Sequence, residues 1–166
     1  RNPKPCPIVG VLEAGQHSSD LLAGGDIRTD IPGYRVFVNG ELTQETADAT
    51  SFYAPDMVSF LIGCSFTFET ALLDNGVGIP HIAQGKNVAM YRTNIATTPA
   101  GVFSGPLVVS MRPIKASQVA DAVRITSRYP GVHGAPVHVG DPAAIGIDSL
   151  DEPDFGEAID VPAGYI

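Results

Sequence analysis

Met57-Val58-Ser59-Phe60-Leu61-Ile62-Gly63-Cys64-Ser65-Phe66-Thr67-Phe68-Glu69-Thr70-Ala71-Leu72-Leu73-Asp74-Asn75-Gly76 is the stretch on which the fold class turns. An apolar element, helical or extended from Pro55 to Ile62, hands over to a polar cluster. Thr70 to Asp74 then reads as a helix body that stops at Gly76. Unpaired backbone N–H groups and the positive end of the helix dipole gather where such a helix begins. Cys64, Ser65, Thr67 and Glu69 therefore read as a site for a carboxylate or phosphate. A thiol there is favoured as an acid/base group. The same residues are equally compatible with a buried cysteine and a Ser or Thr helix cap.

Upstream, Ile8-Val9-Gly10-Val11-Leu12-Glu13 is the one strand expected among the Pro- and Gly-punctuated residues 1–33. Tyr34-Arg35-Val36-Phe37-Val38, Asn39-Gly40 and Glu41-Leu42-Thr43 read as a hairpin, because Asn-Gly tolerates the positive φ angles of a type I′ turn. Downstream of Gly76-Val77-Gly78-Ile79-Pro80 the composition shifts. Val88 to Arg92 and Leu107 to Arg112 read as strands. Lys115 to Tyr129 reads as a helix, with Ala116, Val119, Ala120 and Val123 on one face and Pro130-Gly131 as its stop. Pro136-Val137-His138-Val139 reads as a short strand closing a β-β-α-β unit. The expected fold is α/β: a domain discontinuous in sequence, residues 1–85 and 141–166, interrupted by a smaller two-layer α/β sandwich over residues 86–140.

Apolar residues at 44% and charged residues at 17% describe a globular chain with a core. The 18 glycines and 14 prolines require short elements joined by many turns. A net charge of −8 argues against a nucleic-acid partner, which needs a basic face, and against an anionic membrane surface. The longest apolar run falls far short of the ~20 residues of a spanning helix. A small anionic substrate is compatible, since a pocket can be locally positive in an acidic protein. A homo-oligomer is left open. Cys6 and Cys64, few and far apart, fit a reduced, cytoplasmic setting better than a disulfide framework. Arg1-Asn2-Pro3-Lys4-Pro5-Cys6-Pro7 and Tyr165-Ile166 both read as points within a longer chain.

Four clusters compete to carry chemistry. The first is Cys64, Ser65, Thr67 and Glu69. The second is Tyr91-Arg92-Thr93-Asn94, where a guanidinium can clamp a carboxylate through two parallel hydrogen bonds or pair with an acidic surface neighbour. The third is Ser110-Met111-Arg112-Pro113; an Arg beside a helix start is a poor cap, which favours a ligand or a carboxylate partner. The fourth is His133-Gly134-Ala135-Pro136-Val137-His138-Val139-Gly140-Asp141, where backbone can approach a ligand closely. His133, His138 and Asp141 match no compact zinc spacing, so no metal or other cofactor is expected, and a histidine proton shuttle fits better. His17 and His81 lie in loop-like contexts and receive no role. There is no nucleophile elbow, phosphate loop or dinucleotide fingerprint.

Five words, Arg1-Asn2-Pro3-Lys4-Pro5-Cys6-Pro7, Phe60-Leu61-Ile62-Gly63-Cys64-Ser65-Phe66, Met90-Tyr91-Arg92-Thr93-Asn94, Gly105-Pro106-Leu107-Val108-Val109-Ser110-Met111-Arg112-Pro113 and His133-Gly134-Ala135-Pro136-Val137-His138, resemble the D-glutamate cyclase family, whose bacterial members are named hydro-lyases. The resemblance covers nearly the whole chain, and the family's full-length chains extend further at both ends. It implies loss of water from a small carboxylic or amino acid, in the cyclase case closure of D-glutamate to 5-oxo-D-proline. It implies catalytic roles for Cys64, Ser65, Glu69 and His133, and substrate contacts from Arg92, Thr93, Asn94, Ser110, Arg112 and His138. The alternative is a non-catalytic module that binds a small carboxylate or amino acid in the same pocket.

Overall fold

Four strands, β1 (Ile8–Leu12), β2 (Tyr34–Val38), β3 (Glu41–Thr46) and β4 (Ser59–Ile62), organise residues 8–62 in the computed structural model, which describes residues 1–166. These residues form one compact unit; residues 1–7 and 63–166 form a second. Within the first unit β1 pairs antiparallel with β4, and β2 pairs with β3 as the expected hairpin. Asn39 (φ 52°) and Gly40 (φ 86°) take the left-handed conformations that a type I′ turn requires. Arg28 grips Asp26 through Nε and Nη2 at 2.9 and 2.6 Å and holds its carboxyl down at about 2.

The second unit contains α1 (Glu69–Asp74), α2 (Pro80–Ala83), β5 (Met90–Ala96), β6 (Pro106–Ser110) and α3 (Val119–Thr126). β5 and β6 pair antiparallel. Phe68, Leu72, Val77 and Ile79 pack against Ile114, Ala122 and Ile125, which brings α1 onto α3 and the segment after β6. Ala89 and Tyr91 form a second core with Ile147 and Ile159, and Tyr91 Oη donates to the Leu150 carbonyl at 2.8 Å. The whole is mixed α/β, with small antiparallel sheets and few helices.

Three expectations need correction. The helix after the polar cluster runs Glu69–Asp74, as expected, but the polar cluster before it is the 3-10 turn Ser65–Phe68. Within it Thr67 N donates to Cys64 O and Glu69 N to Phe66 O. The reading as a buried cysteine with a Ser or Thr cap is corrected, because Cys64 is exposed and no side chain caps α1. Residues 136–139 do not form the fourth strand. Pro136 lacks an N–H and Gly134 and Gly140 take positive φ, while the free side of Met90 in β5 is bridged by Phe155. Finally, only Val119–Thr126 of the expected 115–129 helix is α-helical; Ala116–Gln118 is a 3-10 turn.

Gly63 explains how closely the loop before the polar turn approaches the 130–132 segment. A Cβ at position 63 would fall 1.9 Å from the Gly131 carbonyl oxygen. Gly63→Ala should therefore destabilise the chain by about 1–3 kcal/mol through overpacking against backbone. Urea denaturation would read this as a lower midpoint at unchanged slope.

Candidate functional site

Leu72 and Phe68 anchor α1 in the core, which turns Glu69 and Ser65 inward. Arg112 arrives from the far side, just after β6. Its Nε donates to Glu69 Oε1 at 2.8 Å and its Nη2 to the same oxygen at 2.5 Å. Nη2 also donates to Ser65 Oγ at 3.0 Å. The guanidinium stacks 5.0 Å from the centroid of the Phe68 ring. His81, at the second position of α2, adds Nε2 at 3.2 Å from Glu69 Oε1. Both side chains of the Glu69–Arg112 pair are only 10% exposed. Burial disfavours the charged guanidinium and lowers its pKa, which the Glu69 carboxylate opposes. Burial likewise lowers the pKa of His81, Glu69 pulls it up, and Arg112 pushes it down.

Arg112 alone of this cluster also lines a cavity of about 610 Å³. Its Nη1 makes no hydrogen bond to the protein and is not sealed from solvent, so the guanidinium keeps free donors. Ser110, His133 and His138 line the same cavity, as does Lys4, which sequence reading gave no role. Much of the remaining wall is apolar, including Leu72, Tyr91, Leu107 and Val119. His133 Nδ1 lies 3.0 Å from the Lys4 carbonyl. A carbonyl only accepts, so the proton sits on Nδ1, and Nε2 of the neutral ring is a bare base. By the same logic His138 Nε2 donates to the Asp141 carbonyl at 2.8 Å and leaves Nδ1 bare. Lys4 Nζ donates to the His133 and Ala135 carbonyls, tying the N-terminal segment to this loop. His133 itself holds φ at 82°, a conformation costly for a residue with a Cβ.

The other candidates lie elsewhere. Arg92 pairs with Asp154 at 3.3 Å and sits over Phe155, in a recess of about 200 Å³ shared with Asp148 and Glu152. That recess is acidic and suits no anion. Thr93 is buried and donates Oγ1 to the Leu107 carbonyl at 2.8 Å, a bond between β5 and β6. Asn94 is exposed and lies against Gly146. Cys64 is exposed and off the cavity wall, though near enough to Arg112 to favour its charge. Ser65 and Glu69 stand behind Arg112, not on the wall. No three His, Cys, Asp or Glu side chains converge as a metal-ligand set. His81 is the buried member that sequence reading missed.

A protein of Corynebacterium jeikeium named "putative hydro-lyase" is 74% identical over all 166 residues, which cover 61% of its length. Similarly named proteins of Corynebacterium urealyticum and Mycolicibacterium gilvum are 70% and 63% identical over the same residues, which cover 63% of each. The chain thus spans less than two thirds of these curated relatives. No helix is long and apolar enough to cross a membrane. The family profile described as D-glutamate cyclase matches residues 58–166, the segment that contains Ser65, Glu69, His81, Arg112 and the whole histidine loop. Since that match takes in most of the chain and the relatives align along all of it, the chain belongs to the D-glutamate cyclase family.

Proposed function

We propose that the full-length protein is a hydro-lyase acting on a small amino or carboxylic acid, and that its reaction is the dehydrative closure of D-glutamate to 5-oxo-D-proline. The carrying observation is Arg112: a cavity-lining residue whose guanidinium is anchored by Glu69 and Ser65 and whose Nη1 has no protein partner. Such a group holds a substrate carboxylate in a fixed pose. Ring closure forms a bond from the α-nitrogen to the γ-carboxyl carbon and breaks a C–O bond, releasing water. From the ammonium and carboxylate forms, the α-nitrogen gives up two protons and the departing oxygen takes up two to leave as water. His133, which lines the cavity and whose Nε2 is left bare when Nδ1 donates to Lys4 O, supports the base role, with His138 as the second proton-holding group. Ser110 contributes a hydroxyl to the same wall and suits substrate hydrogen bonding. Glu69 and Ser65 serve by fixing Arg112. Arg92, Thr93, Asn94 and Cys64 lack comparable support here.

The expected α/β domain interrupted by a sandwich over residues 86–140 belongs to this full-length reading, and β5, β6 and α3 supply three of its four elements. The free thiols Cys6 and Cys64, both exposed, support a cytoplasmic setting.

The test is NMR-followed conversion of D-glutamate by the full-length protein beside the 166-residue chain. 5-Oxo-D-proline from the full-length form is expected. Binding of D-glutamate without turnover would replace the reading with a carboxylate-binding role. Neither binding nor turnover would remove D-glutamate as the ligand.

A further inference from the structure

Glu69 Oε1 receives Arg112 Nε and Nη2 and stands 3.2 Å from His81 Nε2, so three nitrogens converge on one carboxylate oxygen. His81 is 3% exposed, and its Nδ1 is buried with no hydrogen-bond partner. A carboxylate oxygen only accepts, which assigns the single proton of a neutral ring to Nε2. A second proton would place an N–H on Nδ1 where nothing accepts it, and would add a positive charge beside Arg112. We propose that His81 is a positioning residue: a permanently neutral imidazole whose Nε2–H fixes the Glu69 carboxylate, and through it the orientation of Arg112 at the cavity wall. The groups facing it are Glu69 from α1 and Arg112 from the segment after β6. Burial disfavours the imidazolium and agrees with this geometry.

The inference deepens the proposed site, because it takes Arg112 as the group that site must hold still. Its test does not use turnover. ¹⁵N NMR of the imidazoles in the full-length protein should show His81 with a protonated Nε2 and a bare Nδ1. His81 should stay neutral as pH falls through the range where ordinary histidines titrate, about 6.5. The Arg112 Nε–H signal supplies the second readout. In His81→Ala its exchange with solvent should accelerate about tenfold or more, the scale of a lost charge-assisted hydrogen bond. His81→Gln, which keeps a donor near the Nε2 position, should restore slow exchange to within about threefold of wild type. Core amides of α3 should not change in either variant. An Nδ1–H tautomer, an ordinary His81 titration, or unchanged Arg112 exchange in His81→Ala would each overturn the proposal. If His81→Ala fails to fold, the wild-type tautomer and His81→Gln still decide it. Absence of D-glutamate turnover leaves these readouts intact, so the two readings fail separately.

Discussion

Glu69→Ala should cost about 3–5 kcal/mol of folding stability, because it strands the buried Arg112 guanidinium without its counter-charge. For a chain of this size that corresponds to a fall in Tm on the order of 10 °C. The substitution also takes the acceptor from His81. Replacing both partners by apolar groups, Glu69→Leu with Arg112→Met, should recover much of the loss, since no buried charge is then unpaired. The comparison belongs at pH 7 or above. Burial holds the His81 pKa below the usual value of about 6.5, so the unfolded chain takes up that proton first and stability falls as pH drops below it. Chemical denaturation of the three proteins gives the answer. If Glu69→Ala lay within about 1 kcal/mol of wild type, as an exposed pair would, the buried pair would not be what holds Arg112.

Arg112→Lys should lower turnover of the proposed substrate by at least about 100-fold in the full-length protein. Lysine keeps the charge, yet one ammonium cannot serve Glu69 Oε1, Ser65 Oγ and a cavity ligand together as the guanidinium does through Nε, Nη2 and Nη1. A rise in KM with kcat retained would mean Arg112 binds ground state and transition state equally; loss of kcat as well would mean it orients the reacting carboxylate. Arg92→Lys is the contrast. Arg92 is more than half exposed and already committed to Asp154, so its replacement should leave turnover within about threefold of wild type. Equal losses in both variants would refute the choice of Arg112 over Arg92.

Glu69 and Arg112 were both legible as candidates, but in separate clusters with different tasks. A ligand or a carboxylate partner for Arg112 could be read from its position near a helix start, though not which of the two, nor which carboxylate. The two residues are 43 apart in sequence, and they meet because Phe68 and Leu72 share a core with Ile114, Ala122 and Ile125. His81 was passed over for the same reason: nothing within four residues of it announces that α2 will face Glu69. The strand expected over residues 136–139 was an apolar alternation without a neighbour to pair with. Strand formation depends on an available edge, and the other side of Met90 in β5 is bridged by Phe155.

What the chain's sequence determined by itself is local or ancestral. Asn39-Gly40 set the hairpin turn, Gly76 ended α1, and five unbroken words carried the family, whereas α3 buries Ala122, Ile125 and Thr126 and leaves Ala116 and Ala120 of the expected face exposed. Backbone preferences act over a few residues, so such features survive any packing. Tertiary structure alone decided that Ser65, Glu69, His81 and Arg112 form one buried network, that Arg112 and not Arg92 lines the large cavity, and that His133, on the same lining, sets its Nδ1 against the Lys4 carbonyl. Those outcomes rest on burial and on which donor finds which acceptor, and both are fixed only when distant segments pack together.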